Sequence, residues 1–356
     1  MARTVDGRLA YADLLRVLAT MAVVILHISA GWLDQAAVGG ASWTALCTYD
    51  ALVRWCVPMF VMLSGAFLLD PKKSVNLRDI FFRYILRVLA ALLVWGILYA
   101  LLDYGHSDWH FTWTGVKSAF GYVLRAQTHY HLWFLYVIIG LYLVTPVLRA
   151  FVRGASRGTF HWFFLLTFLF YSLLPTLQQL FPNRMALPMM WVDRFNIHLV
   201  LGYVGYYVAG YYLKNYTLGR LAEFLIYILG ILGAVATVWG TIALSVRSGS
   251  LNAVLLSYSA PNVALMSVAV FVLFRYVLGV SEERSRRQRL GGVARITFGI
   301  YLVHDLFIML LRYFDVSPLS FNPILSVPVL SAGVFLCAFA VAWLISKIPL
   351  LGRYLT

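Results

Sequence analysis

Arg16 and His27 stand eleven residues apart in one apolar run, from Tyr11 to Trp32. At about 100° and 1.5 Å per residue, that spacing puts both side chains on one helix face, roughly 16 Å apart along the axis. A cation and an imidazole inside a membrane helix are expensive to keep and point first to function. Asp13, three residues before Arg16, is placed to orient and partly neutralise the guanidinium. A neutral imidazole at His27 can serve as general base toward a hydroxyl that attacks an acyl carbonyl. The plainer readings are an Arg16 that snorkels to the headgroups and a His27 hydrogen-bonded to a neighbouring helix. Arg83 and Arg87, four residues apart, share a helix face. Two guanidiniums one turn apart repel unless an anion lies between them, and phosphate is the natural one. Their plainer reading is the positive-inside bias of membrane proteins.

Further along, His131-Leu132-Trp133-Phe134 opens an apolar run, and Tyr301 and His304-Asp305 fall in the middle of another. An intramembrane His-Asp pair suggests a polar interior, so His131, Trp133, Tyr301 and His304 are candidates to line a substrate cavity. Trp133 also fits an interfacial aromatic belt. Pro58 opens a kinkable segment that ends in Ser64-Gly65, a small-residue contact. Phe195-Asn196-Ile197-His198 and the charged run Glu282–Arg289 fit interfacial and positive-inside positions.

The elements that must position these groups follow from composition. The chain of 356 residues is 62% hydrophobic and 12% charged, with mean hydropathy +0.82, far too apolar for a soluble domain. Apolar runs of about 20 residues recur, long enough to cross a ~30 Å hydrocarbon core. Ten spans are expected, at about 11–32, 48–69, 81–102, 131–149, 160–180, 196–213, 220–245, 253–278, 292–312 and 327–349. The fold expected is therefore all-α, a polytopic membrane helical bundle forming one domain over 1–356. Arg54, Lys117, Arg125, Arg184, Arg194, Arg247 and Arg312 fall on one face, and the remaining 21 of the 28 basic residues on the other. The bias makes the richer face cytoplasmic and puts both termini there. It also explains the net charge of +14 without nucleic acid. The first run carries Arg16 and lacks a small-residue cleavage site, so it reads as a retained anchor. The segment from Thr114 to Arg125 is amphipathic and expected along the interface. Cys47, Cys56 and Cys337 lack metal-ligand spacing, and neither a metal nor a disulfide is expected.

Four motifs in order resemble the membrane acyltransferase-3 family, bacterial integral membrane O-acyltransferases that modify surface glycans. Asp13, Arg16 and His27 match its Asp-x-x-Arg and Arg-x10-His pattern, and Pro58, Phe60, Ser64 and Gly65 its Pro-x-Phe…Ser-Gly pattern. His131, Trp133, Phe134 and Pro146 resemble its third motif, and Gly299, Ile300, Tyr301 and His304 its fourth. Tyr84 stands where many members carry the first arginine of Arg-x-x-Arg. The resemblance is to the stand-alone type, similar to the enterobacterial common antigen O-acetyltransferases, since the chain has no room for an appended hydrolase-like domain.

The resemblance implies acetyl-CoA, or another acyl-CoA, as donor substrate and no permanently bound cofactor. The acceptor would be a surface glycan or an undecaprenyl-linked sugar, approached from the outer side of a bacterial inner membrane. Arg16, Arg87 and Arg83 would hold phosphates at the inner mouth, and His27 would activate the hydroxyl or carry the acyl group itself. Two other classes use similar intramembrane residues, a flippase for a lipid-linked sugar and a non-catalytic sensing module. Neither requires the Arg-to-His spacing, and the internal repeat common in transporters is missing.

Overall fold

The computed structural model describes residues 9–104, 112–195, 202–278 and 290–356. Among the described residues there is no strand. Eight helical segments are long and apolar enough to cross a membrane: Ala10–Gln35, Ala41–Leu68, Leu77–Leu102, Tyr130–Gly154, Arg157–Leu180, Arg220–Ser248, Val254–Tyr276 and Pro323–Lys347. The expected spans at 196–213 and 292–312 fall on shorter helices, Val204–Asn215 and Thr297–Tyr313, with 196–201 outside the described residues. The chain is an all-α polytopic membrane bundle.

The site is built by six of these elements: α1 (Ala10–Ala30), α2 (Ala41–Val53), α3 (Cys56–Leu68), α4 (Trp133–Gly154), α5 (Val204–Asn215) and α6 (Thr297–Tyr313). Helix α1 is central and packs on α2, α3 and α6 as well as on Pro323–Lys347. The second span starts earlier than its apolar run suggests. Gly39 has φ +79° and Gly40 precedes the first helical residue, Ala41. The break between α2 and α3, at Arg54–Trp55, has a local cause in Pro58. A proline ring clashes with the carbonyl four residues earlier, which is that of Arg54. Pro58 itself sits in the first turn of α3, where its missing N–H matters little.

Helix α5 is wrapped by protein along nearly its whole length, from Gly205 to Leu213. It crosses α3 almost backbone to backbone. A Cβ on Gly65 would sit 1.8 Å from the Tyr207 carbonyl oxygen, and one on Gly210 the same 1.8 Å from that of Met62. Only glycine permits this approach, the small-residue device of membrane helices. By contrast Arg220–Ser248 exposes Leu221, Phe224, Ile231, Leu232 and Trp239, the surface that hydrocarbon solvates without penalty.

The C-terminal end of α3 is tied by charge. The buried Arg149 of α4 donates to the carbonyls of Leu68 (2.6 Å), Asp70 (2.9 Å) and Lys73 (2.5 Å). It thereby satisfies acceptors that a helix end leaves open. Lys214 of α5 donates to Asp70 Oδ2 at 3.0 Å. Burial works to raise the Asp70 carboxyl, but the Lys214 ammonium and the Lys72 N–H outweigh it and hold the group below its ordinary value.

Candidate active site

The two ends of α1 carry two different chemistries. At the Arg16 end, Asp13 Oδ1 accepts from the Arg16 guanidinium at 3.4 Å, the pairing expected from their three-residue spacing. The guanidinium of Arg16 and the ammonium groups of Lys73 and Lys214 lie 5.4, 5.1 and 5.0 Å from the centre of the Phe67 ring. Three cations gathered around one aromatic ring, with Asp13 and Asp70 beside them, make this end of α1 basic.

Arg16 and Arg87 face a cavity of about 370 Å³, together with Arg295, Tyr84, Tyr142, Ser64, Phe134 and Tyr301. A second, of about 390 Å³, shares Arg16, Ser64, Tyr84 and Tyr142 and adds Asp13 and Lys73. A third, of about 560 Å³, shares Arg87 and adds Arg78, Arg83, Arg353 and Asp79. The three adjoin through common residues, so the arginines line a group of neighbouring basic cavities. Arg83 and Arg87 do face one pocket, although the helix runs as a π-type stretch over Ile80–Ile85. Arg83 is exposed and Arg87 half-buried. The Arg87 guanidinium donates to the Thr356 carbonyl and lies 5.4 Å from the Phe298 ring centre. Tyr84 lines the first two cavities.

At the other end of α1, four histidines (His27, His129, His131 and His304) and three tyrosines (Tyr99, Tyr130 and Tyr301) meet. The His27 ring stacks on His304 at 5.2 Å between centroids with 28° between planes, and meets Tyr130 edge-on at 5.2 Å. His131 lies 6.5 Å from His27 and 5.3 Å from His304. His27 remains partly accessible. Among the described residues, neither of its ring nitrogens has a hydrogen-bond partner. The His304 Nδ1 contacts the Tyr301 carbonyl at 2.6 Å. The Nε2 atoms of His131 and His304 are buried with no hydrogen-bond partner among the described residues. Asp305, 1% exposed, accepts from the Tyr130 hydroxyl at 2.6 Å through Oδ1.

Backbone ties hold the cluster in register. The Tyr301 hydroxyl donates to the His131 carbonyl, and the Tyr99 hydroxyl to that of Leu302 at 2.8 Å. Tyr301 is also the residue common to the two ends: it lines the first cavity and touches His131 and His304, at 5.8 and 6.0 Å between ring centroids. His27 does not line that cavity. Tyr301 and Phe134, 6.1 Å apart, form an aromatic layer beside the cluster. Trp133 stacks on Tyr258 at 5.7 Å and 23°, and Tyr258 lies 5.7 Å from the Arg54 guanidinium. Arg54 pairs with the fully buried Asp50 at 2.5 Å.

The structure thus brings Asp13, Arg16, Arg83 and Arg87 to neighbouring basic cavities, and His27, His131 and His304 to one cluster, with Tyr301 between. Trp133 belongs to an adjoining aromatic stack. Sequence reasoning missed His129, Tyr130, Tyr99 and the Asp50–Arg54 pair. The run His129-Tyr130-His131 was a visible signal for the first two. Asn196, His198 and Glu282–Arg289 lie outside the described residues.

No match to the chain was found among curated proteins or solved structures. A family model described as an acyltransferase domain matches residues 9–346. The match spans both chemical ends of α1 and every helix named above, and the chain belongs to the acyltransferase-3 family of membrane acyltransferases.

Proposed function

We propose that the chain transfers an acetyl group from acetyl-CoA, entering from the cytoplasm, to a hydroxyl of a surface glycan or its lipid-linked precursor. The enzyme sits in a bacterial inner membrane with the Arg16 end of α1 inward. Arg16, Arg87 and Arg295, with Arg83 and Arg353 in the adjoining cavity, bind the donor's phosphates. The pantetheine arm lies along the cavity between Ser64, Tyr142 and Phe134. His27 takes the proton from the acceptor hydroxyl as its oxygen attacks the thioester carbonyl. The carbon–sulfur bond then breaks, and the proton held on His27 passes through water to the departing CoA thiolate, which restores the neutral imidazole. The layer of Tyr301 and Phe134 must yield for the thioester to meet His27, so donor binding and transfer are separable steps.

The observation that carries this function is the shared position of Tyr301, which lines the basic cavity and touches the histidines packed on His27. The experiment is binding of acetyl-CoA to the purified chain, followed by transfer of radiolabelled acetyl to glycan. Saturable binding that Arg16→Ala weakens, together with labelled glycan, is the expected result. Translocation of a lipid-linked sugar without binding of CoA would replace this function with that of a flippase.

A further inference from the structure

The turn ahead of α4 brings three metal-ligating atoms together. His129 Nδ1 and His131 Nδ1 are 3.0 Å apart. Asp305 Oδ2 is 3.3 Å from the first and 3.9 Å from the second. A triangle with these sides has a point about 2.0 Å from all three corners, the distance at which zinc binds imidazole nitrogen and carboxylate oxygen. Donor pairs around tetrahedral zinc are separated by about 3.3 Å, a value the three spacings of 3.0, 3.3 and 3.9 Å bracket. The group of His129, His131 and Asp305 is mostly buried.

The surroundings suit a cation as well. Tyr130 donates to Asp305 Oδ1 at 2.6 Å and leaves Oδ2 for the ligand position, the outer-shell clamp that metal-bound carboxylates receive. Tyr99 stacks on His129 at 4.8 Å and 27° and meets His131 edge-on at 4.8 Å, so both rings are held. Asp305 and His131 are each 1% exposed. Among the described residues, no Lys or Arg pairs with Asp305. A carboxylate buried in this way needs a compensating charge, which a divalent cation shared with two imidazoles supplies.

We propose that His129, His131 and Asp305 bind one zinc-class divalent cation at the His27 end of α1, opposite the end that carries Arg16. Two nitrogens and one oxygen are a borderline donor set, suited to zinc over magnesium or calcium. The site does not depend on acyl transfer, and metal binding tests it separately.

The test is metal content of the detergent-purified full chain, equilibrated with Zn²⁺ and desalted, with Co²⁺ as spectroscopic probe. About one zinc per chain is expected for the wild type, and below about a tenth for His129→Ala and Asp305→Asn. His161→Ala, which alters a histidine bonded to Tyr212 in a different part of the fold, is expected to keep its metal. His129→Cys supplies a thiolate in place of the imidazole, so it should retain cobalt and add a sulfur-to-cobalt charge-transfer band. Wild-type protein that holds less than about a tenth of an equivalent of zinc overturns the proposal. So does an Asp305→Asn, His129→Ala double variant that holds as much as the wild type. Should the loss variants aggregate, cobalt-loaded wild type and His129→Cys decide. Identical spectra without the new band place the metal elsewhere and overturn the site.

Discussion

The Asp13–Arg16 contact shows how one carboxylate can set the use of a membrane arginine. At 3.4 Å the carboxylate restrains the guanidinium, which also lies against Phe67. It leaves Arg16 facing two cavities. Arg16→Ala is expected to weaken acetyl-CoA binding about 10- to 100-fold, the worth of one charge-assisted hydrogen bond to phosphate. Asp13→Asn keeps the positive charge and loses its orientation, so a smaller loss, a few-fold in KM, is expected. Titration calorimetry with acetyl-CoA and steady-state kinetics check both. Asp13, Arg16 and His27 were legible in the sequence because a single helix carries them and its period fixes their face. Asp305 was legible as half of an intramembrane His-Asp pair, but its meeting with His129 was not, because the turn ahead of α4 and helix α6 are brought together by packing that no local pattern encodes.

At the level of elements, the α3–α5 crossing is the tightest constraint on the site. It holds Ser64 at the cavity while Gly65 meets the Tyr207 backbone. Gly65→Ala or Gly210→Ala must push the two helices apart, at a cost of about 1–3 kcal/mol or more. The expected readout is a lower thermal unfolding midpoint and donor binding weakened along with it. The Asp70–Lys214 contact ties the same two helices through a carboxyl whose pKa is lowered in the fold. Its stabilisation is therefore present at neutral pH and fades as pH falls through the carboxylate range, where the proton displaces the lysine. Asp70→Asn is expected to be less stable than wild type at pH 7, with the difference shrinking in acid. Unfolding midpoints across a pH series measure it. The Ser-Gly pair and the kink at Pro58 were legible in the sequence. The early start of α2 was not, because Ala41, Ser42 and Thr44 carry no apolar signal and the helix continues on packing alone. The burial of α5 was also hidden: its apolar pattern does not reveal that its residues face other helices nearly all round.

For the whole molecule, the sorting of Lys and Arg predicts a sidedness. The cations assigned inward, among them Arg16, Lys73, Arg78, Arg83, Arg87, Arg295 and Arg353, do meet around adjoining cavities. Arg312, assigned outward, donates to the Gly31 carbonyl just beyond the far end of α1. In a background without native cysteines, Ser320→Cys is expected to react with an impermeant maleimide on intact cells. Ser74→Cys should react only after permeabilisation. Under the proposed function, that sidedness would put the acyl donor and acceptor on opposite faces, with α1 as the path between them. The most direct measurement uses proteoliposomes with radiolabelled acetyl-CoA on the Lys73 side and glycan on the other. The wild-type chain is expected to label the glycan, and His27→Ala to do so at least about 100-fold more slowly while unfolding at the same temperature. Transfer by His27→Ala at the wild-type rate removes the imidazole from the chemistry, and with it the acyl-transfer route built on the face it shares with Arg16.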